Sequence, residues 1–384
     1  MVKRSVLVSV AERSGDAHAA RLVREVKRRE PDVEFRGFGG EHLAAAGCHI
    51  DLESLRSASM GLGFLSHLDE LLGTLRRFDH LLRTERPHSV LLVDAPGLHF
   101  LLARLARWRG VPVVYYICPQ IWAWAPWRRG KILRYTDLLL PILPFESDFL
   151  NTDSARVVPV GHPLGDALSE LDPEGGAQLR AELGIDDDQR VIGLLPGSRT
   201  HEVESLISIF RRVLDALELD PQRHRVLVSC ARADFRPLIE RAFSGSPLTV
   251  TPLETDSRVI TMASDFVLVA SGTATLEVAY FETPMVSLYH GAAWMHALRE
   301  WFFLAPYFAL PNLLGGEASG GEPVVPEYLC RGREGKELVD IVRPLLDDTP
   351  ARAEQIVHLR RIKDEVLQPG ASARAASALL DFLS

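Results

Sequence analysis

SVLLVDAPGLHFLLARLARWRG, residues 89–110, reads as one strand, one turn and one helix. Val90–Val93 is an unbroken apolar run of β-formers, Pro96 and Gly97 turn the chain, and the residues after them repeat apolar side chains at helical spacing. A strand with no polar alternation is buried on both faces, which is the mark of a parallel sheet covered by helices. The same unit recurs on either side. SVLVSV (5–10), EFRGFGG (34–40), VPVVYYIC (111–118) and DLLLPIL (137–143) are β-rich runs, with charged amphipathic segments between several of them. After LGDALSELDPEGG (164–176) the pattern restarts with RVIGLLPG (190–197), HRVLVSC (224–230), PLTVTPL (247–253), DFVLVAS (265–271) and PMVSLY (284–289). The expectation is an α/β chain of two Rossmann-like, doubly wound parallel-sheet domains facing a central cleft. The boundaries expected are 1–163, 164–355, and a helical stretch 356–384 that crosses back to the first domain.

The 384 residues are 47% hydrophobic and 24% charged, too long for one comfortable core. A net charge of -8 argues against a surface that grips nucleic acid along its whole length, so an anion site must be a local basic pocket. Cys48, Cys118, Cys230 and Cys330 lie far apart without ligand spacing, which points to reduced thiols and to no metal. The short apolar run at the N-terminus is unlike a signal peptide, and no apolar run approaches the roughly 20 residues that span a bilayer.

Ligands of open α/β sheets gather at the carboxyl ends of strands, so the informative residues follow each apolar run. They are Glu12, Ser14, Gly15 and Asp16 after the first strand, Asp94 after VLLV, Ser198 and Arg199 in PGSR, and Ser271, Gly272, Thr273 and Glu277 in SGTATLE. SGTATLE alone is equally a helix cap. PGSR adds a second tight turn and an arginine whose planar fork suits a diphosphate, and no P-loop lysine motif accompanies either. Together they suggest a nucleoside diphosphate bound without the machinery of an ATPase. Asp94 can serve as a general base towards a hydroxyl or simply cap the helix behind it, and Glu12 has a similar claim. No Ser/His/Asp triad spacing is present, and His18, His99, His162 and His290 read as structural.

A further stretch, CPQIWAWAPWRRGKILRY (118–135), holds Trp122, Trp124 and Trp127 followed by Arg128, Arg129, Lys131 and Arg134. Read as extended, it puts Trp122 and Trp124 on one side beside cations, which suits the headgroup layer of an anionic membrane or an acceptor that pairs apolar groups with a phosphate. Burial between lobes is the alternative, and nucleic-acid stacking fits the acidic balance poorly. WMHALREWFFLAPYF (294–308) extends the same choice.

In order along the chain, AERSGDAHAA, SMGLGF, VDAPGLHF, CPQIWAW, PFESDF, VGHPLGDA, LLPGSR, ASGTATLE, LPNLL and VPEYL resemble the lipid-A-disaccharide synthases of Gram-negative bacteria. That resemblance implies a GT-B fold similar to glycosyltransferase family 19, with an acceptor- and membrane-facing first domain and a UDP-sugar-binding second domain. It implies an inverting transfer that joins UDP-2,3-diacylglucosamine to 2,3-diacylglucosamine 1-phosphate, giving the β(1→6) disaccharide 1-phosphate and UDP. No cofactor, metal or covalent sugar intermediate is required, and the enzyme would sit on the cytoplasmic face of the inner membrane. By the same resemblance Asp94 matches the base, Arg199 and the SGT turn meet the diphosphate, Glu277 reaches the ribose, Asn312 is a further contact, and Ser14 lies on the acceptor side. Departures from the family pattern are Ala11 and Arg13 in the first loop, Phe64 for an acid, Gly97 and His99 in place of the polar pair of DAPDFN, His290 for an arginine, and the inserted GGEASGGEP. Another UDP-sugar enzyme of this architecture, such as a 2-epimerase, or a non-catalytic binding derivative remains the alternative.

Overall fold

The computed structural model describes residues 4–54, 68–151, 155–290, 307, 309–315, 322–332 and 334–384. The chain divides into two compact units, Met1–Asp166 with Gln368–Ser384, and Ala167–Leu367. Each unit is built on one parallel sheet.

In the first unit the strands are β1 (Ser5–Val10), β2 (Glu34–Gly39), β3 (His49–Glu53), β4 (Ser89–Val93), β5 (Val113–Tyr116), β6 (Leu138–Leu140) and β7 (Arg156–Val157). Their order is β3-β2-β1-β4-β5-β6-β7, and every pairing is parallel. The second unit holds β8 (Arg190–Leu195), β9 (His224–Ser229), β10 (Thr249–Leu253), β11 (Phe266–Ala270), β12 (Met285–His290) and β13 (Glu327–Cys330), ordered β10-β9-β8-β11-β12-β13 and again parallel throughout. Central strands such as β4 are buried along their whole length, because helices cover both faces. One core joins Leu7, Phe38, Phe78, Leu92, Leu102 and Tyr115; the other joins Ile192, Leu206, Phe210, Val228, Phe266 and Leu288.

The C-terminal stretch is shared between the units. The helix Pro350–Val366 belongs to the second unit, and only Gln368–Ser384 joins the first, where the helix Ala371–Leu383 packs on the helix Arg13–Arg29. Asp166 fastens the point of return by accepting from the backbone N–H groups of Gly370 and Ser372, and Arg374 Nε donates to the Val160 carbonyl at 2.7 Å.

Candidate active site

In each sheet the strand order reverses once, and the crevice outside the carboxyl ends at such a reversal is where open α/β sheets bind ligands. The first sheet reverses between β1 and β4, whose last residues pair as Val10 with Val93. Glu12 follows one of these strands and Asp94 the other. The second sheet reverses between β8 and β11, with Leu195 paired to Val269. PGSR follows one and SGT the other.

Backbone strain lies at two carboxyl strand ends of the first unit, after β4 and after its neighbour β5. Asp94 (φ 56°), Ala95 (φ 48°) and Ile117 (φ 58°) are all left-handed non-glycine residues, and Ile117 is β-branched. Each costs on the order of 1–3 kcal/mol and persists only where its surroundings hold it. The Asp94 carbonyl accepts from the Tyr115 hydroxyl at 2.8 Å and meets His99 Nδ1 at 2.6 Å, while His99 Nε2 lies 3.1 Å from Ser9 Oγ. Burial, with the negative charge of Glu12 second, raises the Asp94 carboxyl to about 6, against a backbone hydrogen bond from Ala95. Glu12 is the exposed N-cap of the helix Arg13–Arg29 and makes no side-chain capping bond. Ser14 is exposed in the first turn of that helix. Asp16 is fully buried, accepting from the N–H groups of Gly40 and His42, so it fixes the turn after β2.

A third carboxylate completes this end of the sheet. Glu146, just past β6, is 1% exposed; one oxygen accepts from Trp122 Nε1 at 3.1 Å, the other from the N–H groups of Ile142 and Leu143. Burial pushes it up to about 7 against those three donors, with Asp94 adding to the rise. It stands inside the PFESDF motif, yet in sequence it passes for an ordinary acid in a helix's first turn.

The tryptophan stretch departs from the extended reading. Ile121–Trp124 is a single helical turn, followed by the 3-10 turn Pro126–Arg128 and the helix Arg129–Tyr135. Trp122 turns inward, edge-on to Phe145 at 4.8 Å between ring centroids, where Glu146 satisfies its N–H. Trp124 lies at the end of the same turn, and Trp127 is 72% exposed. Arg129 is a correction to the expected basic surface: its guanidinium donates to the carbonyls of Phe149 and Asn151, so it ties down the end of the next helix. Lys131 and Arg134 are exposed, and Arg128 is partly so.

In the second unit Gly197 (φ 100°) makes the turn after β8, where a Cβ would come within 2.6 Å of Glu202. Ser198 is exposed, and Arg199 opens the helix Thr200–Leu217 with a guanidinium 74% exposed, paired at 3.1 Å to Glu202. So weak and exposed a pair leaves the arginine ready to turn to an anion. After β11, Gly272 takes φ 146°, which L side chains rarely adopt, while Gly272 and Thr273 are exposed and Ser271 half so. Glu277 lies in the short helix Ala274–Tyr280, raised to about 7 by burial, with Arg258 pulling it down and Asp256 pushing it up. Arg258 and Asp256, bonded to each other, are members of this cluster with no motif to announce them.

Asn312, expected as a further contact in the second domain, is turned into the fold. It is 1% exposed, and its amide donates to the Val325 carbonyl and accepts from the Val325 N–H, so it frames the segment around it. His290 ends β12, exposed. Phe64 lies outside the described residues, as does WMHALREWFFLAPYF apart from Tyr307.

Structures of the same fold include the UDP-N-acetylglucosamine 2-epimerase of Neisseria meningitidis bound to UDP-GlcNAc, with a TM-score of 0.65 at 16% identity over 98% of this chain and 100% of that one. Acinetobacter baumannii MurG gives 0.62 at 14% identity, covering 98% of this chain and 99% of its own. Among curated proteins, the lipid-A-disaccharide synthase of Pseudomonas syringae pv. tomato is 35% identical over 98% of this chain and 97% of its own length. That of Saccharophagus degradans is 34% identical over 99% of this chain and 97% of its own. A profile of the lipid-A-disaccharide synthetase family matches residues 6–379, so that with both sheets reversing between the motif-bearing strands, the chain belongs to that family of glycosyltransferases.

Proposed function

We propose that this chain is an inverting glycosyltransferase that joins UDP-2,3-diacylglucosamine to 2,3-diacylglucosamine 1-phosphate. The observation that carries this reading is the placement of PGSR and SGT on the two strands flanking the reversal of the second sheet, with Glu12 and Asp94 on the two flanking the reversal of the first. Asp94 takes the proton from the acceptor's 6-hydroxyl as that oxygen attacks the anomeric carbon of the donor sugar. The bond from that carbon to the diphosphate breaks, and its electron pair leaves with UDP. Arg199 and the SGT backbone stabilise the charge that grows there, and Glu277 holds the ribose. A base with its carboxyl raised to about 6 is ionised at neutral pH yet basic enough to accept the proton. Two neighbours of this fold were solved with UDP-GlcNAc or with UDP and glucose, which supports a UDP-sugar as donor.

The substrates are lipids, and the first unit carries an apolar surface suited to meet them at the inner face of the inner membrane. A groove of about 580 Å³ is lined by Leu72, Leu75, Leu101, Leu105 and Trp108 together with Arg76, Asp79 and Arg104. Leu72, Leu101 and Trp108 are among the most exposed large apolar side chains described, as is Trp127, one helical turn in sequence before the exposed Lys131. Apolar groups flanked by cations suit a peripheral site on an anionic bilayer. No described helix is long and apolar enough to cross one.

Incubation with UDP-diacylglucosamine and the acylated sugar 1-phosphate tests the reading, with UDP and a β-linked disaccharide as expected products. Isomerised donor in the absence of acceptor would mark a 2-epimerase instead. Loss of anionic-vesicle binding on changing Leu72, Leu101 and Trp108 to Ser is expected, and undiminished binding would remove the membrane site.

A further inference from the structure

Both ring nitrogens of His99 are engaged. The ring is fully buried, which lowers its basicity to about 4 and keeps it neutral despite a bond to the Asp94 backbone. Its Nδ1 lies 2.6 Å from the carbonyl oxygen of Asp94. A carbonyl only accepts, so Nδ1 carries the single ring proton. Nε2 is then bare and accepts from the hydroxyl of Ser9 on β1, 3.1 Å away. The other lone pair of the Asp94 carbonyl takes the Tyr115 hydroxyl of β5 at 2.8 Å. Ser9, His99 and Tyr115 are all 0% exposed, so the carbonyl is held in the interior by Tyr115 of β5 and by His99 of the following helix, whose ring rests in turn on Ser9 of β1. Asp94 and Ala95 meanwhile stand at φ 56° and 48°, a pair of conformations that an aspartate–alanine step does not choose by itself.

We propose that His99 is a positioning residue: its Nδ1–H, with the Tyr115 hydroxyl, holds the Asp94 carbonyl inward and so locks the left-handed strand end that presents the Asp94 carboxylate to the acceptor. The inference rests on Asp94 as the base. Asparagine Nδ2, like histidine Nδ1, stands two bonds beyond Cβ, so either residue brings an N–H to the same place. Glutamine Nε2 stands one bond further out, where histidine has its bare Nε2. Gly97, two residues before His99, is exposed, and a Cβ there would meet nothing within 4 Å, so that glycine takes no part in the clamp.

The test compares His99→Asn, His99→Gln and His99→Leu in the full-length enzyme, each checked for folding by circular dichroism, with Asp94→Asn alongside. Loss of a reacting group's placement by a fraction of an ångström to an ångström lowers turnover by roughly ten- to a hundredfold. That loss is expected in kcat for Leu and Gln, with KM for the UDP-sugar unchanged, while Asn stays within roughly threefold of wild type. Nitrogen-15 spectra of the wild type should show a protonated Nδ1 and a bare Nε2 from pH 8 down to pH 5. Folded Leu and Gln variants that turn over like wild type while Asp94→Asn is inactive would overturn the inference and leave the base in place. Equal losses in folded Asn and Gln variants, or a proton on Nε2, would overturn it too. An active Asp94→Asn would remove the base itself, and with it the need for a clamp. If the Leu variant does not fold, the Asn and Gln pair decides.

Discussion

The indole N–H of Trp122 ends on the carboxylate of Glu146, 3.1 Å away, and it is one of three donors converging on that buried group. The pair joins the tryptophan stretch after β5 to the turn after β6, so a segment rich in aromatics and cations is anchored by a carboxylate rather than by its own charges. An amide in place of the acid has one acceptor oxygen, and its NH2 must face an N–H at one end. Glu146→Gln should therefore cost about 1–3 kcal/mol of stability and shift the tryptophan emission. Because burial raises Glu146 to about 7, emission should also titrate near neutrality in the wild type and not in the variant. Identical emission and melting temperature in the two proteins would show that the bond holds nothing.

Asp94 and Glu12 are separated by their effect on the pH profile. A base must be ionised, so kcat should rise with pH through about 6 and level off above it. Asp94→Asn is expected to lower kcat about 10²- to 10⁴-fold while UDP affinity stays near wild type. Glu12→Gln removes a negative charge that disfavours ionisation of Asp94, so its acid limb should move to lower pH with the plateau largely kept. If the collapse appears in Glu12→Gln and not in Asp94→Asn, the two roles exchange.

Arg199→Ala should reduce kcat by roughly a hundredfold or more, because charge grows on the leaving diphosphate where that guanidinium is proposed to meet it. The fold should survive. Glu202 loses an exposed partner but remains in the first turn of the helix Thr200–Leu217, where the helix dipole favours a carboxylate. Single-turnover rates and thermal melts check both statements, and near-normal turnover would sink the assignment.

Acid should loosen the first unit through its histidines. Burial, with help from His18, lowers His162 to about 3, and burial with Arg21 lowers His18 to about 4. Both lie below the unfolded value of 6.5, so the stability they contribute is complete above about pH 6.5 and is lost as pH falls towards the folded values. Between pH 6.5 and 5 the His162 share amounts to up to about 2 kcal/mol. His162→Asn can still accept from the Leu164 N–H, which now donates to Nδ1, and does not titrate. The gap between wild type and variant should therefore move in the variant's favour on acidification, as read by denaturant unfolding at several pH values. A gap that stays constant would exclude the effect.

Among the described residues ten strands stand out in sequence as apolar runs, and the three that do not are β3, β7 and β13, all at sheet edges. Their burial is partial along most of their length, so nothing demanded an unbroken apolar run in HIDLE, RV or EYLC. The site is legible to the same degree and for the same reason. Asp94, Arg199 and the SGT turn follow strongly apolar strands, so the strand-end rule finds them. Glu146 obeys that rule too but hides behind the turn Pro144–Phe145. The partners of Trp122 and Arg129 lie beyond that rule's reach, because a side chain's partner 20 or more residues away is decided by packing, and Arg129 spends its charge on two carbonyls that no motif marks.

The return of Gln368–Ser384 to the first unit sets an order on how the protein is made. A ribosome moving along the message releases Met1–Asp166 first, yet that half lacks the helix that covers Arg13–Arg29 and the N–H groups that Asp166 needs. Ala167–Leu367 emerges in one piece and has all its strands before the missing helix exists. The half begun first is thus completed last, and a released chain that ended at Leu367 would hold every residue of the second unit but an open first one.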